Sequence, residues 1–268
     1  MSPSFLIEPE ALRQQMRTQP PLLVDARTAP AYAAGHLPGA IHLSTYDCFV
    51  PDTTEAGMAA FALDVSRRYA AAGIAGDRPV VVYDQDTGMR AARELWILEY
   101  LGHRDVRMLH GGMNAWRAAG GTIVSEPGVA ASAAFDPAIA PHLMIGADEI
   151  LAGLGRSRFA VIDVRDALEY AGRDDTPCCL RRGHVPGACW IEWTELLDGG
   201  LYKSPAAIRE LLRGRGIGDD DALAVYCHRG ARSAHTYYAL RHAGYANVRN
   251  FIGSWHEWSA RTAFPVES

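Results

Sequence analysis

Short apolar runs of about four residues recur along the chain without the polar alternation of a half-exposed strand. Such runs are typical of strands in a parallel sheet that is buried on both faces. The clearest runs are Leu22–Asp25, Val80–Tyr83, Val161–Val164 and Leu223–Tyr226. We predict a β-strand at each of these four places.

Stretches rich in alanine, leucine and arginine separate the apolar runs and predict helices. They include Met89–Leu101, Pro205–Gly214 and Ala231–His242. Glycine often follows a helix because it adopts the left-handed backbone conformation without steric cost, so we expect Gly102 and Gly244 to end two helices. Strands that alternate with helices indicate an α/β fold.

The two halves of the chain repeat one another, which is the pattern expected of a duplicated domain. The matched segments are Leu22–Arg27 with Val161–Arg165, Gly35–Ala40 with Gly183–Ala188, Pro79–Asp84 with Leu223–Cys227, and Gly111–Trp116 with Gly253–Trp258. The second copy carries ten extra residues, Arg173–Arg182, before its Gly-His-x-Pro-Gly-Ala turn. Turn chemistry and packing explain Asp163, His36, His184 and the Pro-Gly turns, so we interpret these residues as scaffold.

The repeat and the length of 268 residues together indicate two domains. We predict a first domain over residues 1–126 and a second over 142–268. The stretch 127–141 between them is small, polar and contains proline, as is typical of a linker.

Composition excludes several classes of partner. The net charge of −5 gives no electrostatic reason to expect nucleic acid or an anionic membrane as a partner. No stretch approaches the roughly 20 apolar residues of a membrane span, and the first residues lack the basic and apolar regions of a signal peptide. We therefore expect a cytoplasmic protein without a membrane partner.

The richest chemistry lies where the last predicted strand meets a helix. Cys227 ends the strand, and the helix begins within about five residues, so a tight loop should turn its backbone N–H groups towards the sulfur. Helix N-termini and nearby cations lower the pKa of a thiol. The candidate contributors from the loop are His228, Arg229, Gly230, Ala231 and Arg232, with the two arginines as cations and His228 as a third.

The alternative is a buried structural cysteine, which is common at the end of a strand. Two flanking arginines and a glycine argue against it, since a structural cysteine needs neither. We expect Cys48 and Cys189 to pack in the fold. Cys178 and Cys179 lie in the insertion, and two adjacent cysteines without nearby histidine ligands are weak evidence for a redox or metal role.

These motifs resemble the rhodanese family in its tandem two-domain form. Tyr32–Leu43 is similar to the family's N-terminal signature, and Val248–Trp258 is similar to its C-terminal signature. Ile252 departs from the latter, where an acidic or small residue is usual. The resemblance covers nearly the whole chain, from about Glu10 to Ala260, with several motifs in the same order and spacing.

The resemblance implies two doubly wound domains, each with a central parallel sheet flanked by helices. It implies that the second domain is catalytic and that Cys227 takes sulfane sulfur from thiosulfate and passes it to cyanide or another thiophilic acceptor. It also implies that Arg229 and Arg165 bind the donor. No metal or organic cofactor is required. A thioredoxin-like or sulfur-carrier protein is a conceivable acceptor.

Two further positions need an interpretation. Arg232 can face the substrate, or it can turn back to bond carbonyls of the tight loop, and we favour the second role.

Asp84 stands in the first copy where Cys227 stands in the second. Because a carboxylate forms no persulfide, we expect the first domain to be catalytically inactive.

Three other functions compete with a thiosulfate sulfurtransferase. A 3-mercaptopyruvate sulfurtransferase shares the two-domain plan but resembles this chain less, since its loop is typically uncharged. Related phosphatases place five residues between cysteine and arginine, whereas four separate Cys227 from Arg232. A non-enzymatic sulfur-binding module is the third, and the presence of Cys227 argues against it.

Overall fold

A five-stranded parallel sheet forms the centre of the first half of the computed structural model, which describes residues 5–76, 78–174 and 179–268. The strands lie in the order β1-β5-β4-β2-β3. They are β1 Leu6–Ile7, β2 Leu22–Asp25, β3 Ile41–His42, β4 Val80–Tyr83 and β5 Val106–Leu109. The helices are α1 Pro9–Thr18, α2 Ala29–Ala33, α3 Glu55–Ala71, α4 Met89–Tyr100 and α5 Gly112–Ala118. Every residue of β2 and β4 is buried, so both faces of the sheet are covered.

The second half is built on a four-stranded parallel sheet in the order β11-β10-β6-β7. Its strands are β6 Phe159–Asp163, β7 Cys189–Trp190, β8 Leu197–Asp198, β9 Leu201–Tyr202, β10 Ala222–Tyr226 and β11 Val248–Asn250, of which β8 and β9 form a small antiparallel pair. Its helices are α6 Ala147–Gly153, α7 Ala167–Tyr170, α8 Pro205–Gly214, α9 Ala231–His242 and α10 Ser254–Ala260, with single 3-10 turns at Pro141–Leu143 and Trp193–Leu196.

The predicted α/β class with two helix-flanked parallel sheets is confirmed. The predicted strands and helices are found within two residues of their expected ends. Gly102 and Gly244 follow α4 and α9 with φ angles of +90° and +95°, a conformation that favours glycine at a helix end. None of the helices in the described part of the chain has the length and apolar character needed to span a membrane.

By contacts the chain divides into two units, Met1–Cys48 with Ala60–Ala140, and Phe49–Ala59 with Pro141–Ser268. The predicted domain boundaries stay a prediction. Part of the expected linker pairs with the first unit, since Ala133 donates to the carbonyl of Ala70 at 2.9 Å and Ala138 to that of Leu101 at 2.9 Å.

Residues 49–59 pack with the second unit, which no pattern in the sequence had indicated. There the N–H of Thr53 donates to Glu257 Oε2 at 3.0 Å, and its hydroxyl donates to Glu257 Oε1 at 3.1 Å. Glu257 lies in α10 and is 2% exposed. The N–H of Ala147, at the start of α6, donates to the hydroxyl of Thr53 at 3.1 Å. A segment from early in the sequence thus satisfies a buried carboxylate of the second unit.

A buried aspartate–arginine pair anchors the strand end next to the cysteine loop. Asp163 accepts hydrogen bonds from Arg165, at 3.0 Å from Nε and 2.6 Å from Nη2. The same Nη2 donates to the carbonyl of Gly183 at 2.7 Å, and the hydroxyl of Tyr226 donates to Asp163. The pair therefore ties β6 to β10 and to the turn that carries His184.

The first unit repeats this arrangement. Arg27 donates to Asp25 at 2.9 Å from Nε and 2.6 Å from Nη2, and to the carbonyl of Gly35 at 2.7 Å. Because the pair recurs in the copy that lacks the loop cysteine, the fold alone accounts for it.

Removing one partner of a buried ion pair leaves the other charge without compensation and costs about 3–5 kcal/mol. Asp163→Ala should therefore lower the free energy of unfolding of the second unit by that amount, and Asp25→Ala should do the same in the first. Urea unfolding gives the size of the loss, and hydrogen exchange shows which unit opens. Losses within about 0.5 kcal/mol, as for ordinary surface substitutions, would contradict the anchoring role.

Candidate active site

Cys227 lies in a tight loop between β10, which ends at Tyr226, and α9, which begins at Ala231. Gly230 closes the loop with a φ angle of +88°. A Cβ atom on Gly230 would lie 2.7 Å from Ile252 Cγ1 and 2.8 Å from the Ile252 carbonyl oxygen. The loop therefore needs glycine here for its backbone conformation and for its close approach to Ile252.

The loop surrounds the sulfur of Cys227 with hydrogen-bond donors. The N–H of Gly230 donates to Cys227 Sγ at 3.1 Å. Cys227 is 1% exposed, so little water competes for its sulfur. The start of α9 adds the partial positive charge of a helix N-terminus. This arrangement can hold a negative charge on sulfur.

The pKa of the Cys227 thiol lies below its ordinary value. Burial is the largest influence and raises this pKa. The positive charge of Arg232, the N–H and hydroxyl of Ser233 and the N–H of Arg229 together outweigh burial and lower it. The thiolate, which is the nucleophilic form, is therefore favoured.

Ser254 supports the end of β10 at Cys227, and no pattern in the sequence had pointed to this residue. The N–H of Cys227 donates to Ser254 Oγ at 3.2 Å, and Oγ donates to the carbonyl of Phe251 at 2.8 Å. Ser254 has a φ angle of +55°, which is uncommon for a residue other than glycine. The backbone between β11 and α10 is thus shaped to support Cys227.

Arg232 faces carboxylates, and our expectation that it would bond to loop carbonyls was wrong. Its Nη2 donates to Glu169 Oε1 at 2.8 Å, and its Nη1 lies 3.8 Å from Asp166 Oδ2. The planar guanidinium matches a carboxylate better than isolated carbonyl oxygens because it forms paired hydrogen bonds. Arg232 still acts on Cys227 through its charge.

Arg229 is placed differently from Arg232. Among the described residues no carboxylate forms an ion pair with it and no acceptor bonds to its buried Nε. Its guanidinium carbon lies 4.2 Å from the ring centroid of Phe49, whose side chain is 46% exposed. An aromatic face stabilises a cation without neutralising it, so the positive charge of Arg229 is available to an anion.

His228 is not the third cation that the sequence suggested. Burial, which has the largest effect, and the charges of Arg229 and Arg232 together lower its pKa to about 4. The imidazole is therefore neutral at pH 7.

Arg165 lies beside the loop and lines the same cavity as His228. Its guanidinium carbon is 4.7 Å from the ring centroid of Trp255, and its side chain is 2% exposed. Much of its hydrogen-bonding capacity is used by Asp163 and the carbonyl of Gly183. Binding of a substrate by Arg165 stays a prediction.

Cys179 is the cysteine that sequence reasoning undervalued. Its Sγ lies 3.4 Å from Nε2 of His228, a histidine 49 residues further along the chain. Cys178 lies outside the described residues.

Burial raises the pKa of Cys48 to about 11 and that of Cys189 above its ordinary value, so both are poor nucleophiles.

Comparison with known proteins agrees with this geometry. The profile of the rhodanese-like domain matches residues 8–119 and again 146–261. The chain belongs to the rhodanese family. Its two rhodanese domains occur in tandem, as the sequence motifs implied.

Relatives of this tandem rhodanese are sulfurtransferases. A thiosulfate sulfurtransferase of Pseudomonas aeruginosa is 30% identical over 98% of this chain and 97% of its own length. A 3-mercaptopyruvate sulfurtransferase of Escherichia coli is 29% identical over 97% of this chain and 93% of its own length. The crystal structure of SseA from Escherichia coli is described as having the rhodanese fold of 3-mercaptopyruvate sulfotransferases. It matches 94% of this chain and 99% of the SseA chain, with a TM-score of 0.77 and 24% sequence identity. The chain is a sulfurtransferase, and its relatives include users of both donors.

The rhodanese domain of the first unit carries a carboxylate in its own loop. Asp84 Oδ1 accepts from the N–H of Gln85 at 2.8 Å, and Oδ2 accepts from the N–H of Arg90 at 3.0 Å. Loop amides that could hold an external anion are thus occupied by a side chain of the same loop. Burial raises the pKa of Asp84.

Because Arg232 contributes to the low pKa of Cys227, Arg232→Gln should raise that pKa. At a pH well below the thiol pKa, the thiolate fraction should fall about tenfold for each unit by which the pKa rises. Glu169→Gln, which leaves Arg232 in place without its carboxylate, should not raise the pKa. Thiolate absorbance at 240 nm is followed against pH, with Cys227→Ser as the blank.

A pKa that rises equally in both variants would show that the ion pair shapes the loop, and that the charge of Arg232 alone does not set the thiol pKa.

Proposed function

We propose that this chain moves sulfane sulfur from thiosulfate to cyanide or a thiol acceptor through a persulfide on Cys227. The observation that carries the proposal is the thiol of Cys227 in a buried loop, bonded by the N–H of Gly230 at 3.1 Å and with a lowered pKa. A nucleophilic sulfur held by backbone amides suits the formation of a charged persulfide.

The first half-reaction is a displacement at sulfur. The Cys227 thiolate attacks the outer sulfur of thiosulfate, a bond forms between these two sulfurs, and the bond between outer and central sulfur breaks. The electron pair leaves with sulfite, which is a dianion, and Cys227 holds an anionic persulfide. The loop N–H groups, including those of Gly230 and Ala231, stabilise this charge in place of water.

The second half-reaction returns the enzyme to its starting state. A nucleophile such as cyanide attacks the outer sulfur of the persulfide, and the thiolate of Cys227 leaves. Since the donor product departs before the acceptor reacts, the kinetics are ping-pong. A small thiol, a thioredoxin-like protein or a sulfur-carrier protein satisfies the same chemistry.

Arg229 is the basis for choosing thiosulfate as the donor. Its charge is balanced by no described carboxylate and is held against the ring of Phe49. A sulfonate-like group presents several oxygens to such a guanidinium. His256 adds a buried Nδ1 that has no hydrogen-bond partner among the described residues. 3-Mercaptopyruvate, whose carboxylate could use the same cation, is the second candidate because relatives of that name match the chain at similar identity.

The catalytic domain in this proposal is the one predicted over residues 142–268, linked by 127–141 to an inactive domain over 1–126. Support for inactivity comes from Asp84, whose carboxylate already accepts the amides of its own loop.

Incubation with thiosulfate should add one sulfur to Cys227, which intact mass and peptide mapping detect as a gain of about 32 Da. Cys227→Ser should lose this gain and all thiocyanate formation. Asp84→Asn is the matched control at the equivalent position of the first copy and should keep both. The same incubation with 3-mercaptopyruvate and with an aryl phosphate tests the alternatives.

Sulfur loading from thiosulfate that persists in Cys227→Ser would overturn the proposal. Rapid phosphate release without sulfur loading would identify a phosphatase. Loading from 3-mercaptopyruvate at a much higher kcat/KM than from thiosulfate would change the donor and leave the persulfide on Cys227 intact.

Arg229→Gln should raise the KM for thiosulfate by about 10- to 100-fold, the effect of losing a charge-assisted hydrogen bond worth about 1.5–3 kcal/mol. Arg213→Gln, at an exposed arginine of the same domain, is the control. Steady-state kinetics at constant ionic strength give KM and kcat separately. An unchanged KM in Arg229→Gln would remove Arg229 from the donor site.

A further inference from the structure

Cys179 lies against the residue that directly follows the nucleophile. Its Sγ is 3.4 Å from Nε2 of His228, and both residues line one cavity with Arg165 and Trp255. On the basis of the function proposed above, we propose that Cys179 is a second sulfur carrier. It receives the outer sulfur of the Cys227 persulfide and presents it to thiol acceptors.

Accessibility gives a reason for a second carrier. Cys227 is 1% exposed, so a large acceptor has little access to sulfur held there. Cys179 is only half-buried. A relay between them would move the sulfur from a site that excludes water and favours its activation to one that an acceptor can approach.

The cavity next to Cys179 suits sulfur in transit. It has room for about 20 Å³, which is enough for roughly one water-sized group. Three arginines, Arg165, Arg181 and Arg182, line it against the two carboxylates of Glu169 and Asp174. An anionic sulfur entering the cavity therefore meets guanidinium groups that can donate to it.

His228 positions the sulfur of Cys179. The neutral imidazole, whose pKa is about 4, can bond a sulfur without forming an ion pair with it. The charges of Arg229 and Arg232, which contribute to the low pKa of His228, favour an anion beside it, whereas burial disfavours a charge of either sign. His228, which we had expected to be a cation, thus acts in the relay as a neutral hydrogen-bonding group.

The insertion supplies an independent argument. Residues 173–182 are extra in the second copy of the repeat. Cys179 belongs to this insertion and contacts the loop of Cys227 at His228, and the first copy, with Asp84 in the place of Cys227, lacks the insertion. The second cysteine therefore occurs only where a persulfide can form.

The transfer step is balanced without an oxidant or a reductant. The sulfur of Cys179 attacks the outer sulfur of the Cys227 persulfide and forms a new S–S bond. The bond between that sulfur and Cys227 Sγ breaks, and its electron pair stays on Cys227 as the thiolate. The proton of the Cys179 thiol ends on the transferred sulfur.

The test follows isotopically labelled outer sulfur through the full-length chain. Protein loaded with labelled thiosulfate is freed of donor, trapped by alkylation at a series of times and mapped by peptide mass spectrometry. Label should appear first on Cys227 and then on Cys179. Cys179→Ser should carry label on Cys227 only, and Cys227→Ser should carry none. Cys189→Ser, which changes another half-buried thiol of the same unit, should behave as the unaltered protein.

The second readout separates acceptors by size. In Cys179→Ser the discharge of the Cys227 persulfide to a reduced thioredoxin-like protein should slow by about tenfold or more, equal to about 1.4 kcal/mol in barrier. Discharge to cyanide should slow by a smaller factor because cyanide is small enough to reach the buried sulfur. His228→Gln should reduce the share of label on Cys179.

Normal loading of Cys227 with no label on Cys179 at any time would overturn the relay and leave the proposed function standing. Label on Cys179 in Cys227→Ser would also overturn it, since Cys179 would then react with the donor directly. A Cys179–Cys227 disulfide with release of the labelled sulfur as sulfide would replace the relay by a resolving step. Absence of label on both cysteines would overturn the proposed function itself.

Discussion

A negative charge on a sulfur atom that is almost out of contact with water is the constraint on which the second domain is built. Cys227 is 1% exposed, and burial alone raises the pKa of its thiol. The N–H of Gly230, the groups of Ser233 and the charge of Arg232 take over the role of water. The backbone donors are held in place by the loop, so they can stabilise a negative charge on sulfur without reorganising.

The two arginines of the loop have different electrostatic roles. Arg232 is tied to Glu169, which fixes its position and satisfies its hydrogen bonds while leaving its field at the sulfur. Arg229 rests on the ring of Phe49 and is balanced by no described carboxylate. One cation therefore tunes the nucleophile, and the other is available to a ligand. His228 adds no third positive charge, since its pKa is lowered to about 4.

Local patterns in the sequence predicted most of the fold because they report local physics. Buried four-residue runs became strands, and Gly102 and Gly244 ended helices where their left-handed backbone was needed. The repeat also selected Cys227 among five cysteines, since Asp84 occupies the matching place. Other features depend on contacts between distant parts of the chain. The carboxylate partner of Arg232, the ring of Phe49 under Arg229 and the approach of Cys179 to His228 leave no mark in any short stretch of sequence.

The protonation state of His228 shows why such contacts matter for chemistry. A histidine beside two arginines reads as part of a cationic loop, but the same neighbours, together with burial, lower its pKa to about 4. The charge of a histidine therefore depends on its burial and its charged neighbours as well as on the residue type.

The hydrogen bonds between Thr53 and Glu257 show that the sequence repeat and the folded unit do not have the same boundaries. A catalytic half cut at the sequence repeat would lack Thr53, and the 2% exposed carboxylate of Glu257 in α10 would lose two of its donors. It would also lose Phe49 from beneath Arg229. A gene fragment encoding only the second copy of the repeat would therefore specify an incomplete unit.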